Sequence, residues 1–164
     1  MGAFTYPRSE PGSAGHQDLV EKLNTHSYAL RQDLGGLSEE AAGRRSGDEW
    51  SIKDVAGHLC DHAHHLHTRL FRMINQEEPR LPAWDQDDAA RDRNANASSL
   101  ASLLDELASQ RAETVEMLAD LVHWNWARTG RHEEYGRISI RQLVDRAIAH
   151  DDEHLAQLRE MAQG

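Results

Sequence analysis

Two histidines four residues apart, His150 and His154, are the residues of this sequence best suited to chemistry. On a helix that spacing puts both imidazoles on one face, about one turn apart, close enough to share one metal ion. Upstream, His58, His62 and His65 recur at steps of four and three, and so share one side of a second helix. The chain holds 11 histidines, five of them in the ten residues from His58 to His67. The bland reading of the pair is two half-buried rings bonded to polar neighbours. A third imidazole from the upstream helix would instead complete a facial three-histidine site with positions left for water or substrate, as in catalytic rather than structural metal sites. Such an ion lowers the pKa of a bound water or thiol and so generates a nucleophile near neutral pH. At about 100° per residue, His62 lies nearer the apolar stripe of its helix and His58 nearer its flank. Spacing alone therefore leaves the third ligand open between them, with a slight preference for His62. His64 and His67 point elsewhere and are expected in solvent.

Four helices are needed to position these rings. Leu19, Leu23 and Leu30 recur at helical spacing from about His16 to Leu34, where Gly35 and Gly36 stop the helix. Ser51 is an N-cap with Asp54 three residues on, and predicts a helix from Ile52 to about Asn75. Its stripe is Ile52, Val55, Leu59, Ala63, Leu66, Leu70 and Ile74. Residues 83–97 are polar and read as a long connection crossing the end of the bundle, of a length that is often functional. Ser98 or Ser99 caps a third helix to about Leu121. Residues 122–138, with Trp124 and Trp126, show no clear period and read as a second loop, with room for extended pieces. Ser139 caps the last helix, Ile140 to about Met161, whose seam runs through Ile140, Leu143, Ala147, His150, His154, Leu158 and Met161. Four amphipathic helices with no credible strand pair bury one another only as a bundle. The expected organisation is an arm over residues 1–15, rich in Pro, Gly and Ser, and one all-α domain over residues 16–164.

Bulk properties exclude several classes. At 164 residues the chain is one domain able to bury a core without disulfides. Its formal net charge of −10 argues against a phosphate backbone as partner, which needs a basic stripe. No run approaches the roughly 20 apolar residues of a membrane span, and the N-terminus lacks the apolar stretch of a secretory signal. A cytoplasmic protein without membrane or nucleic-acid partners is expected. Cys60 is the single cysteine, so no intrachain disulfide forms, and its reading is a small buried helix residue rather than a catalytic thiol.

The sequence resembles the DinB/YfiT-like metalloenzyme superfamily over about residues 18–162. One mark is Trp50-Ser51-Ile52-Lys53-Asp54-Val55 leading to His58-Leu59. A second runs from Gly136 through Leu143 to His150, His154, Leu155, Gln157 and Leu158. Pro82, Asp85 and the acidic crossover are weaker marks, as is Arg111 midway along the third helix. The resemblance implies a four-helix bundle with a long crossover between its second and third helices. It also implies His58, not His62, as the first ligand of one divalent ion, nickel or zinc, completed by His150 and His154. His62 then becomes a pocket residue. It further implies a low-molecular-weight-thiol S-transferase in detoxification or stress response, acting with a thiol such as bacillithiol or mycothiol, and a homodimer.

Other residues carry two readings each. Arg111 either salt-bridges internally or binds an anionic substrate group. Trp84 either packs or roofs the pocket, and Asp85 would help place substrate. Asp151, Asp152 and Asp61 either orient imidazoles or are solvated, Glu153 is expected exposed, and Trp50 anchors the loop before its helix. The same ligands serve metal-assisted hydrolysis, and a metal-binding stress protein without turnover is the reading from another class.

Overall fold

In the computed structural model the described residues are 11–164 for the backbone, with side chains from residue 15. Residues 1–10 of the expected arm lie outside them, and the chain is helical from Pro11 rather than from His16. Long helices α1 (Pro11–Leu34), α3 (Ile52–Asn75), α5 (Leu100–Ala119) and α6 (Ile140–Gln163) form the bundle, and α2 (Glu39–Gly43) and α4 (Gln86–Arg93) are short helices in the connections. The helices start where polar side chains satisfy their free N–H groups. Ser51 and Asp54 form a capping box on α3, Ser99 caps α5, and Ser139 with Gln142 caps α6. No helix among the described residues is long and apolar enough to cross a membrane.

The packing order departs from the chain order. Helix α1 packs on α5 and α6, and α3 packs on the same two. Successive long helices α1 and α3 are therefore diagonal. Two apolar clusters fill the interior. One joins Leu30, Leu34, Val55, Leu59, Leu103, Leu107, Leu155 and Leu158. The other joins Leu23, Leu66, Leu70, Leu118, Ile140, Leu143 and Val144. Early residues of α3 thus meet late residues of α6, and late meet early, so the two helices run in opposite directions.

Both loops hold more structure than their sequence suggests. The crossover contains strand β1 (Arg80–Leu81), helix α4 and a 3₁₀ turn at Ala95–Ala97. Helix α4 buries none of its residues, so no apolar period betrays it. It is held by its cap, where Asp85 Oδ1 accepts from the N–H groups of Asp87 and Asp88 at 2.9 and 3.0 Å. It is also held by Arg93, which donates to Asp61 at 2.7 Å and Glu106 at 2.6 Å. The second loop contains β2 (Thr129–His132) and β3 (Gly136–Ser139), antiparallel, with β1 parallel to β2 on the far side. The expectation of no strand pair fails here. Strands of two to four residues are too short for an alternating pattern to show. They join because Gly130 lets Leu81 approach, a Cβ there lying 2.7 Å from Leu81 Cδ1. Of the two tryptophans, Trp126 is buried and stacks on His16, and Trp124 is exposed.

Gly57, beside His58, has the same role in the crossover. A Cβ at Gly57 would lie 2.6 Å from Ala95 Cβ and 2.8 Å from Arg93 Cδ. Helix propensity alone predicts that Gly57→Ala stabilises α3 by up to about 1 kcal/mol. The contact predicts the opposite sign, a loss of about 1–3 kcal/mol from overpacking, to be read from urea unfolding midpoints.

Candidate metal centre

A polar layer separates the two apolar clusters, and each long helix contributes to it. Helix α1 supplies His26, α3 His58 and His62, α5 Arg111, and α6 His150, Asp151 and His154. At its centre Arg111, 2% exposed, donates from Nη2 to Asp151 Oδ1 and Oδ2 at 2.9 and 3.0 Å, and Asp151 is 4% exposed. His26 spans Asp151 Oδ2 at 3.3 Å and Asp152 Oδ1 at 2.9 Å. Burial opposes ionisation of Asp151, but the Arg111 charge and the neighbouring imidazoles outweigh it and hold the carboxyl well below its usual range.

On one flank of this pair three imidazoles converge. His58 Nε2 and His150 Nε2 are 3.0 Å apart. One ligand nitrogen from each of His58, His150 and His154 lies within 4.8 Å of the others. His154 Nδ1 lies 2.8 Å from Gln157 Oε1, which orients the ring and leaves Nε2 to face the others. His58 and His150 each keep a buried Nδ1 without a hydrogen-bond partner among the described residues, that of His150 lying 3.9 Å from Asp151 Oδ1. Burial, then the neighbouring imidazoles His150 and His154, push the His58 pKa down to about 4. The ring is therefore neutral, as a metal ligand must be. His62 stacks on His150 with ring centroids 3.9 Å apart. Burial, then His150 and Arg111, push it well below the usual histidine range. It belongs to an alternative cluster with His150 and Asp151, but there the carboxylate is already committed to Arg111.

The geometry fits one ion. Two nitrogens each about 2.0–2.1 Å from an ion stand about 2.9 Å apart at a right angle and about 3.4 Å apart at a tetrahedral angle. The 3.0 Å separation of His58 and His150 lies in that range. Trp84 lies nearly parallel to His58 with ring centroids 6.3 Å apart, and Trp50 is tilted against it at 5.4 Å. Beside His150 opens a cavity of about 710 Å³, lined by His62, His65, Trp84, Asp85 and His150 among others.

Several sequence expectations meet a different outcome. Arg111 lines no part of this cavity, and its Nη2 faces Asp151 in the interior instead. Asp151 is buried, against its reading as surface charge, because the seam of α6 runs through Val144, Ile148, Asp151, Leu155 and Leu158. His150 and His154 flank that seam rather than occupy it. The signal was present in the steps of four, three, four and three. Asp61 bonds Arg93, not an imidazole. His67 is half-buried with Nδ1 3.0 Å from Thr114 Oγ1, and His64 is exposed as expected. Cys60 is fully buried, and burial pushes its thiol up, away from nucleophilic use. The cavity residues Arg69, His132, Tyr135 and Arg146 were not anticipated, because the short hairpin that brings two of them there has no sequence period.

Comparison with known proteins adds to this geometry. The profile of the DinB superfamily matches residues 22–158. Two proteins of Oceanobacillus iheyensis, each named as a candidate metal-dependent hydrolase, are similar to this chain. OB0413 is 23% identical over 144 residues, 87% of this chain and 82% of that protein. OB0782 is 29% identical over 121 residues, 73% and 68% of the two chains. Among solved structures, YfiT from Bacillus subtilis is described as a probable metal-dependent hydrolase with an unusual four-helix bundle topology. It superposes with a TM-score of 0.85 at 16% identity, covering 99% of this chain and 94% of its own. At that identity the likeness shows the fold.

Two outcomes follow from the polar layer. Arg111→Met strands a buried carboxylate and is expected to cost about 3–5 kcal/mol in urea unfolding, with part recovered in the double variant Arg111→Met, Asp151→Leu. In the metal-free protein, His58 and His65 have pKa values lowered from 6.5 to about 4. The unfolded chain thus binds protons first, so stability holds above pH 6.5 and falls as the pH drops from 6.5 toward 4. A stability that stays flat across that window in a denaturant series would contradict this.

Proposed function

The chain belongs to the DinB superfamily, and on that premise we propose that it is a hydrolase of small molecules dependent on one divalent metal ion held by His58, His150 and His154. The observation that carries the reading is the convergence of these three imidazoles beside a cavity of about 710 Å³ that His150 lines. The two Oceanobacillus iheyensis relatives and YfiT, named or described as metal-dependent hydrolases, support the same class. A divalent ion held by three imidazoles supplies Lewis acidity and brings the ionisation of a water or a thiol toward neutral pH. Histidine-only ligation suits zinc or nickel without choosing between them.

The chain's own residues do the rest. Gln157 fixes the His154 ring through Nδ1, and the Arg111–Asp151 pair fixes the rotation of α6 beneath His150. Trp84 and Trp50 screen His58 from bulk water, which strengthens electrostatic interactions at the centre. His62, Trp84 and Asp85 line the cavity where substrate would rest. Asp85 does so from the cap of α4, so its carboxylate is already partly engaged.

A second reading is transfer of a low-molecular-weight thiol, such as bacillithiol or mycothiol, to an electrophile at the same centre. The cavity volume favours it, since two co-substrates of modest size fit. The thiol must come from outside, because the buried Cys60 cannot serve.

The test is metal content and turnover of untagged protein beside the double variant His150→Ala, His154→Ala. About one zinc or nickel ion per chain by mass spectrometry is expected, with loss of metal and at least about 100-fold slower p-nitrophenyl ester hydrolysis in the variant. Failure to retain stoichiometric metal after dialysis against zinc or nickel would overturn the reading. Turnover seen only when a thiol and an electrophile are supplied together would select S-transfer instead.

A further inference from the structure

The cavity runs along the groove between α3 and α6, and its two ends differ in chemistry. On α3, His58, His62, His65 and Arg69 follow one another at steps of four, three and four. On α6, read backwards, His154, His150 and Arg146 are four residues apart. Because the helices run in opposite directions, the candidate ligands meet at one end and the two arginines at the other. At 1.5 Å per residue, Arg69 lies about 10 Å beyond His62 and Arg146 about 6 Å before His150 along the bundle. The hairpin β2–β3 closes the arginine end with His132 and Tyr135.

The donors at that end lack protein acceptors. Arg45, Lys53, Arg93 and Arg111 each pair with a carboxylate. Arg69 and Arg146 form no ion pair among the described residues. Arg69 donates from Nη2 to the carbonyl of Pro82 at 2.8 Å, but its buried Nε has no partner. The Arg146 guanidinium lies 3.8 Å from the Tyr135 ring centroid, a stacking that leaves its N–H edge free to bond in plane. His132 is buried and accepts at Nδ1 from the N–H groups of Glu134 and Tyr135 at 3.0 and 3.3 Å. In the neutral ring its proton is then on Nε2, a further donor. Three carboxylates also line the cavity. Asp85 is engaged in capping α4, and Glu134 and Glu153 are exposed to water. Of the charged side chains on this wall only Arg69 is half-buried, Arg146 being exposed like the two glutamates, and the two guanidiniums beside an imidazole N–H suit a small oxyanion.

Taking the histidine end as the reacting end, we propose that the cavity selects substrates with an anionic terminus, a carboxylate or a phosphate, held by Arg69, Arg146 and His132. The reacting bond would then lie toward the histidine end, and the terminus sets which molecules reach it and in what orientation.

The experiment is calorimetric titration of the metal-free protein with succinate and, separately, with inorganic phosphate, using uncharged succinamide as control. Saturable binding of at least one anion and none of succinamide is expected. Which anion binds distinguishes a carboxylate terminus from a phosphate one. Arg69→Met and Arg146→Met should each weaken that binding by about tenfold or more. Arg69→Lys, which keeps the charge, should retain most of it. Circular dichroism checks that each variant folds. His150→Ala with His154→Ala should leave anion binding unchanged, because the anion sits at the other end. Equal affinity in wild type and a folded Arg69→Met, or binding by neither anion, overturns the proposal. The two readings fail separately. Arg69→Met should still hold one metal ion per chain, so metal without anion binding sinks only the anionic subsite. Anion binding without metal retention sinks only the metal centre.

Discussion

The site rests on one buried ion pair, Arg111 of α5 with Asp151 of α6. Leucine clusters above and below it can hold four helices together, but apolar contact is non-directional and sets helix rotation only loosely. A guanidinium–carboxylate hydrogen bond, here from Arg111 Nη2 to both oxygens of Asp151, is directional. Two charges taken out of water must meet, because either one alone in the interior is costly. Once Asp151 faces Arg111, the rest of α6 has no freedom. His150, one residue before, turns toward α3, and His154, one turn on, follows it. The pair thus aims the imidazoles without bonding the candidate ion.

A second constraint comes from the order of helices in the bundle. Because α1 and α3 are diagonal, the connections cannot be short loops between neighbours, and the chain must cross the ends and sides of the bundle. Those crossings are used. The α3–α5 connection is tied down by Arg93 between Asp61 and Glu106 and by the close approach of Ala95 to Gly57. This carries Trp84 over His58. The α5–α6 connection folds into the hairpin that closes the other end of the groove. The bundle supplies the reactive end of the cavity and the connections supply its walls, a division in which rigid elements hold the chemistry and loops set access.

The electrostatics of the groove are consistent along its length. Near the candidate centre, burial and mutual repulsion keep His58 and His62 neutral, with their nitrogens available as ligands. Farther along, Arg69 donates to a backbone carbonyl and Arg146 stacks on Tyr135, neither forming an ion pair among the described residues. The only thiol is sealed in the core at Cys60. The groove thus gathers imidazoles at one end and guanidiniums at the other.

Much of this was legible in the residues themselves. Ser51, Ser99 and Ser139 mark helix starts because capping is local, satisfied within three residues of chain. The four-residue spacing of His150 and His154 is likewise local, since a helix places such a pair on one face whatever surrounds it. The resemblance to the DinB superfamily rests on such local spacings, and so the fold was legible with it. Rotation was not decided, because the seam through Asp151 and the seam through His150 both step by threes and fours. Whether the seam of α6 passes through His150 or Asp151 differs by one residue in sequence and by about 100° in space, and only the partner Arg111 decides it. The same holds for His58, fully buried, against His62, half-buried on the cavity wall, which spacing could not order. The β1–β2–β3 sheet, the helix α4 and the meeting of Arg69 with Arg146 also needed the tertiary structure. The β1–β2 pairing and the arginine meeting join residues more than 50 apart, α4 rests on ion pairs without apolar burial, and β2 and β3 are too short to show alternation, so none leaves a period in the sequence.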